Sequence, residues 1–265
     1  MSRLDQELVA RGLARSRTQA QQLIAQGVVA VDGRTIVKAS AAVADTAQII
    51  VAATDHYVSR AAHKLIAGLD AFAIPVAGRL ALDMGASTGG FSQVLRERGA
   101  DPVVAVDVGH DQLAAVVADD PGVIAIEGFN VRYMTAQTLA EASGISDLPA
   151  VVTGDLSFIS LRQVLPAVAG VASPDADIVL LVKPQFEVGR TAVRGGLVTD
   201  PAARADAVAE VLWAAWDVGL GTCGVIASPI VGTHGNREYV AHLKPAAGTD
   251  PSEWTHTVNT VTGSP

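Results

Sequence analysis

Two lysines and two carboxylates stand in short contexts that read as parts of one reactive site. Lys64 lies in Val58-Ser-Arg-Ala-Ala-His-Lys64-Leu65, and Asp155 in Thr153-Gly-Asp155-Leu-Ser-Phe-Ile-Ser160. Lys183 ends an apolar run in Leu180-Leu-Val-Lys183-Pro-Gln-Phe-Glu187, and Glu238 follows Gly235-Asn-Arg237. A sugar hydroxyl is a poor nucleophile near neutral pH, so group transfer to it gains from a positioned base. Free lysine is protonated at that pH, but burial and neighbouring positive charge favour its neutral form. Carboxylates placed between two lysines hold them and limit their repulsion. If the four converge, they make a unit suited to methyl transfer onto a ribose hydroxyl.

A second signal lies between the first two. Asp83-Met-Gly-Ala-Ser-Thr-Gly-Gly-Phe91 leaves an apolar strand and enters a helix, where glycines allow a sharp turn and close approach of a ligand. Its spacing matches neither the G-x-G-x-x-G of dinucleotide enzymes nor a G-x-x-x-x-G-K-[ST] phosphate loop. Asp107, at the end of the next strand, can take the hydroxyls of a bound nucleoside ribose, and Asn130 after the third strand can flank its base. S-adenosylmethionine, a nucleoside without phosphate, suits this pattern. The cofactor candidates are Asp83, Gly85, Ala86, Ser87, Gly89, Gly90, Phe91, Asp107, Asn130, Asp155 and Leu156. With a single cysteine, Cys223, neither a disulfide nor a cysteine metal cluster is available, and no metal is expected.

These residues need a scaffold, and the chain shows one from about Arg79 onward. Leu80–Asp83, Val103–Asp107, Val123–Ile126, Ala150–Thr153 and Ile178–Val182 are short, continuously apolar runs. Helix-length segments at 90–98, 111–118, 135–142, 160–170 and 201–218 surround them, the pattern of a parallel sheet covered on both faces. Strands at 224–227 and 239–243 complete seven. The predicted fold is α/β, a Rossmann-like seven-stranded methyltransferase sheet preceded by a small α+β module. That module reads as a helix from Arg3 to about Arg11, a second from Ser16 through Ala25, a hairpin turning at Asp32-Gly33, and a strand at Gln48–Val51. The predicted divisions are 1–54, a linker at 55–59, a catalytic domain at 60–245 and a loose tail at 246–265.

The net charge of −8 runs against phosphate binding, yet its distribution does not. Residues 1–58 carry six basic and five acidic residues, so the surplus of acid lies in the remainder. No apolar run reaches the roughly 20 residues that span a bilayer, and the polar N-terminus is no secretory signal, so a cytoplasmic protein without stable membrane association is expected.

The first segment resembles the RNA-binding domain of ribosomal protein S-four, through Arg3-Leu-Asp5, Leu8, Gly12-Leu13, Ser16-Arg17, Ala20, Ile24, Gly27, Val29, Val31, Asp32-Gly33 and Lys38. That resemblance implies an RNA-facing role for Arg3, Arg11, Arg15, Arg17, Arg34 and Lys38, with Arg60 beyond them. The remainder resembles the ribose methyltransferases of the FtsJ/RrmJ type, whose site is a Lys-Asp-Lys-Glu tetrad. The whole is similar to the TlyA family, which joins both domains, through His63-Lys64-Leu65, Gly85–Phe91, Asp155–Ser160, Val182–Gly189, Gly195-Gly196, Ser228-Pro229 and Gly235-Asn236 with Glu238-Tyr239. What this implies is S-adenosylmethionine-dependent 2′-O-methylation of cytidine in ribosomal RNA of one or both subunits, acting on RNA or assembled subunits with no obligate protein partner. Asp55-His-Tyr-Val58 departs from the Arg-Ala-Trp-Val common between the domains of that family. A non-catalytic assembly factor and a pore-forming haemolysin are the alternatives.

Overall fold

The computed structural model describes residues 2–14, 16–25, 27–51, 56–189, 193, 195–232 and 235–264. The chain separates into two compact units, Met1–Arg60 and Ala61–Pro265. The expected boundary at 54/55 and the expected RNA contact Arg15 lie outside the described residues.

In the first unit, β1 (Ser2–Arg3) runs into α1 (Leu4–Ala10), followed by α2 (Arg17–Ala25), β2 (Val29–Val31), β3 (Arg34–Thr35), β4 (Ala42–Val43) and β5 (Ile49–Val51). Asp32 and Gly33 both take positive φ (47° and 78°), the geometry of a two-residue hairpin turn whose twist matches its strands. β2 pairs antiparallel with β3 and β5, while β1 pairs with β4. Leu4, Leu8, Ala20, Ile24, Val29 and Val43 close a small core.

The second unit begins with α3 (Ala62–Ala71) and continues β6 (Ala81–Met84), α4 (Gly90–Glu97), β7 (Val103–Val106), α5 (Ala115–Ala118), β8 (Val123–Ile126) and α6 (Ala136–Ser143). Then come β9 (Val151–Gly154), α7 (Leu165–Val171), β10 (Asp177–Val182), α8 (Pro184–Glu187), α9 (Pro201–Asp217), β11 (Leu220–Ala227), β12 (Tyr239–Pro245) and α10 (Thr255–Thr262). The strand order is β11-β12-β10-β9-β6-β7-β8. β8, β7, β6, β9 and β10 are parallel, and β12 lies antiparallel between β10 and β11. The direction of winding reverses between β6 and β9, so the loops after these two strands flank the crevice where open α/β sheets bind ligands.

Three expectations need correction. The helix expected at 111–118 shrinks to Ala115–Ala118, because Asp111 sits at φ 54° and Ala114 is extended. The segment expected as one helix at 160–170 divides into a 3-10 turn, Leu161–Gln163, capped by Ser160, and α7 with Pro166 in its first turn. The tail from Ala246 is ordered. Asp250 accepts from the Ser252 amide ahead of Pro251, a capped start with proline at the first helical position. α10 then buries Val258 and Thr262 against α9 and β11. Turn-forming residues there serve as caps. Val258→Ala is therefore expected to lower the unfolding free energy by roughly 2 kcal/mol in denaturant titrations; no change would mean the tail is loose after all.

Candidate active site

Sheet register brings three of the four candidate residues together. Asp155 follows β9 and Lys183 follows β10 on the neighbouring strand; Leu180 pairs with Gly154, so Lys183 stands two residues beyond the level of Asp155. Glu238 precedes β12, whose Tyr239 is registered with Val182, which sets Glu238 beside Lys183 along the edge of the crevice. Lys64 arrives from α3. One turn further on, a Cβ at Gly68 would come within 2.9 Å of Val240 Cγ1 and 3.2 Å of Val179 Cγ1. Glycine there lets α3 lie close on β10 and β12 and carries Lys64 over the strand ends.

The four side chains form an alternating row of charge. Lys64 Nζ donates to Glu238 Oε2 at 2.6 Å and lies 3.6 Å from Asp155 Oδ2. Lys183 Nζ is 2.7 Å from Asp155 Oδ1 in an ion pair, while its aligned hydrogen bond goes to Ser157 Oγ at 2.8 Å. Lys64, Lys183 and Glu238 are buried, and the Asp155 side chain keeps 16% exposure. Buried charge of this density persists only when paired, and two cations against two anions leave the row neutral. A Cβ on Gly232 would collide with Glu238 Oε1, so that glycine leaves room for the carboxylate.

The glycine-rich turn lies across the crevice after β6. Gly85, Ser87 and Gly89 all have positive φ (76°, 48° and 94°), folding the backbone into a cradle. Gly85 sits against Leu156 and the Asp155 carbonyl, where a Cβ would be 3.0 Å and 3.4 Å away. Gly89 has a different neighbour from the one expected: a Cβ there would meet Val117 of α5 at 2.8 Å, so this glycine is required by packing. Gly90 and Phe91 open α4 and are buried, as is Ala86. Asp107 follows β7 and accepts from the amides of Ser87 (2.8 Å) and Gly109 (2.7 Å), clasping the turn to the next loop. Asn130 is exposed and caps a 3-10 turn through the Arg132 amide. A cradle with carboxylates and no lysine of its own fits a nucleoside bearing a positive sulfur.

Asp83 is placed beneath this turn. It is 1% exposed, and its oxygens accept from Ser92 Oγ (2.7 Å) and Thr153 Oγ1 (3.2 Å). It therefore supports the cradle from below. Burial pushes its carboxyl up to about 6, above its ordinary 3.8. A raised carboxyl adds stability that is fully present below pH 3.8 and is lost as pH rises through about 6. Between pH 4 and 7 the stability difference between the native chain and Asp83→Asn is expected to change by about 2 kcal/mol, the native chain losing ground as pH rises. Denaturant midpoints across that range check it; parallel curves would contradict the assignment.

Several neighbours escaped the sequence reading. Ser157, the hydroxyl partner of Lys183, lies within the Asp155–Ser160 run but carries no signal of its own. Phe158 is 92% exposed at φ 64°, a conformation that costs a bulky residue energy and that clusters at functional positions. Its ring lies 5.3 Å from Phe186, whose own ring centre is 6.0 Å from Lys183 Nζ. Both rings line a cleft of about 540 Å³ with Arg132, Ser160, Gln163 and Gln185. Asn236 accepts from the Val198 amide and donates to the Gly196 carbonyl, tying the turn before Glu238 to a distant loop.

In the first unit the expected RNA contacts divide. Arg34 and Lys38 are exposed. Arg3 and Arg17 both reach Asp5. Arg60 lies against Gly27. Arg11 is a correction: its guanidinium donates to Glu7 (2.7 Å) and to the carbonyls of Ala47 (2.6 Å) and Asp45 (2.9 Å). Those bonds fasten α1 to the segment after β4 and leave the group little to offer a ligand.

Comparison with known proteins agrees with this layout. The FtsJ-like methyltransferase family matches residues 57–245, and the S4 domain matches residues 2–49. The 16S/23S rRNA (cytidine-2′-O)-methyltransferase TlyA of Mycobacterium tuberculosis is 52% identical over 246 residues, 92% of this chain and 90% of that protein. Hemolysin A of Brachyspira hyodysenteriae is 36% identical over 91% of this chain and 99% of its own length. A solved protein from Streptococcus thermophilus with a provisional hemolysin name superposes with a TM-score of 0.76 at 34% identity, covering 99% of this chain and 96% of that one. Among the described residues no helix is long and apolar enough to cross a membrane. The chain belongs to the FtsJ-like methyltransferases, in the TlyA family that carries an S4 domain ahead of the catalytic sheet, and S-adenosylmethionine is its cofactor.

Proposed function

We propose that this enzyme methylates the 2′-hydroxyl of cytidine in ribosomal RNA of one or both subunits, with Lys183 receiving the hydroxyl proton. The observation that carries this reading is the alternating row Glu238–Lys64–Asp155–Lys183, held at the end of the sheet beside the nucleoside cradle. Relatives named as rRNA (cytidine-2′-O)-methyltransferases, one of them 52% identical, support the choice of substrate.

The cofactor, when bound, supplies a methyl group on a positively charged sulfur. Asp107 and the turn at Gly85–Gly89 are the residues that would hold it. Lys183, having released its ammonium proton to solvent, orients the ribose hydroxyl through its neutral Nζ and takes the hydroxyl proton, and Asp155 at 2.7 Å stabilises the ammonium that is restored. Ser157 fixes the direction of Nζ. Glu238 engages Lys64 at 2.6 Å, so that Lys64 leaves Asp155 largely to Lys183. Phe158, held out from the surface by its backbone, offers a face for an unstacked base, as aromatic side chains do for single-stranded RNA. The S4 domain supplies affinity for RNA outside the reacting nucleotide.

Mapping ribose methylation across ribosomal RNA from cells with and without the protein identifies its target. Lys183→Ala is expected to lower methyl transfer 10²–10⁴-fold while the affinity for S-adenosylhomocysteine, measured by calorimetry, stays nearly unchanged. A variant that keeps its turnover and loses only stability would remove Lys183 from the chemistry.

A further inference from the structure

The carboxylate of Asp5 is fully buried, and four donors converge on it. Arg3 donates through Nε to Oδ1 (2.9 Å) and Nη2 to Oδ2 (3.1 Å), while Arg17 Nη2 and Gln21 Nε2 each donate to Oδ2 at 3.1 Å. Arg3 comes from β1, Asp5 from the first turn of α1, and Arg17 and Gln21 from successive turns of α2, so three elements meet at one buried acid. Both guanidiniums keep an outer side: the Arg3 and Arg17 side chains are 46% and 55% exposed. Hydrogen bonds from Arg3, Gln21 and Arg17 hold the Asp5 carboxyl well below the usual carboxylate range.

We propose that Asp5 is a positioning residue for RNA binding: it draws Arg3 and Arg17 onto one point and presents them together as a clamp for a backbone phosphodiester. The inference rests on the RNA-methylating role and names the part of the substrate that the first unit grips. Two guanidiniums on one carboxylate leave a net positive charge. Each guanidinium carries five N–H donors in a plane that can match phosphate oxygens, and Asp5 takes two from Arg3 and one from Arg17. Long arginine side chains otherwise lose rotamer freedom on binding, a cost of tethering that Asp5 has already met in the free protein. A fold-only role for the acid would be served by one arginine; the second, more exposed one is what a ligand needs.

The test uses the full chain and purified ribosomal RNA, with dissociation constants measured against salt and methyl transfer recorded in parallel. Arg17→Lys keeps the charge and removes the fork. It is expected to weaken RNA binding about 10-fold, nearly as much as Arg17→Ala. Affinity equal to that of the native chain would overturn the clamp and leave only a diffuse charge effect. Asp5→Asn removes a negative charge, so simple electrostatics requires tighter RNA binding; the clamp requires weaker binding. It also requires a salt slope shallower by roughly one phosphate contact, about 0.7–0.9. Hydrogen exchange over residues 4–25 shows whether α1 and α2 persist in that variant; should they unfold, the Arg17→Lys comparison decides alone. A native chain that binds RNA without methylating it would count against the catalytic reading and not against the clamp.

Discussion

Asp155 is shared by two lysines, and much of the architecture follows from the need to make that arrangement tolerable. A buried ammonium without a counter-ion is expensive, and two of them side by side more so. The row closes because Glu238 takes Lys64 at 2.6 Å while Asp155 lies 2.7 Å from Lys183. That pairing requires β9, β10 and β12 to end or begin at one place, which the order β12-β10-β9 with an antiparallel β12 achieves. It requires α3 to lie close on the sheet, which Gly68 permits, and space around Glu238, which Gly232 leaves. The cofactor cradle depends on the same frame. Asp155 follows β9, its amide donates to the Met84 carbonyl at the end of β6, and Gly85 packs on its carbonyl.

The sheet was legible because a parallel strand buried on both faces has to be apolar throughout, and β6, β7, β9 and β10 are buried along their whole length. Two of the four candidate residues, Asp155 and Lys183, were legible for a related reason: charged residues directly after such runs stand where ligands bind, whereas Lys64 on α3 and Glu238 ahead of β12 were marked only by their local motifs. Their convergence was not, since it rests on strand order and on a helix, α3, that the motif around Lys64 conceals. Asp83 shows the same limit. Its place in the glycine-rich run pointed to the ligand, but alternation along β6 and the hydroxyls of Ser92 and Thr153 turn it underneath.

Composition misled where residues serve two purposes. The Gly, Pro, Ser and Thr of the C-terminal stretch read as loose chain, yet Asp250 and Pro251 start an ordered segment whose Val258 is buried. The arginines of the first unit read as one basic surface. In the structure Arg11 is bound up with backbone carbonyls, whereas Arg3 and Arg17 are gathered on Asp5 with their outer sides exposed. A basic residue in a sequence says nothing about which of its donors are already engaged.

In the proposed mechanism Glu238 at 2.6 Å keeps Lys64 at 3.6 Å from Asp155, so that Lys183 at 2.7 Å has the larger share of that carboxylate for proton transfer. Single-turnover methyl transfer by Glu238→Gln, with S-adenosylmethionine and RNA both saturating, isolates that step. With its partner neutralised, Lys64 has Asp155 as its remaining carboxylate and competes with Lys183 for it, so the rate of transfer is expected to fall about 100-fold, with S-adenosylhomocysteine affinity and fold retained. A transfer rate equal to that of the native chain would contradict the account.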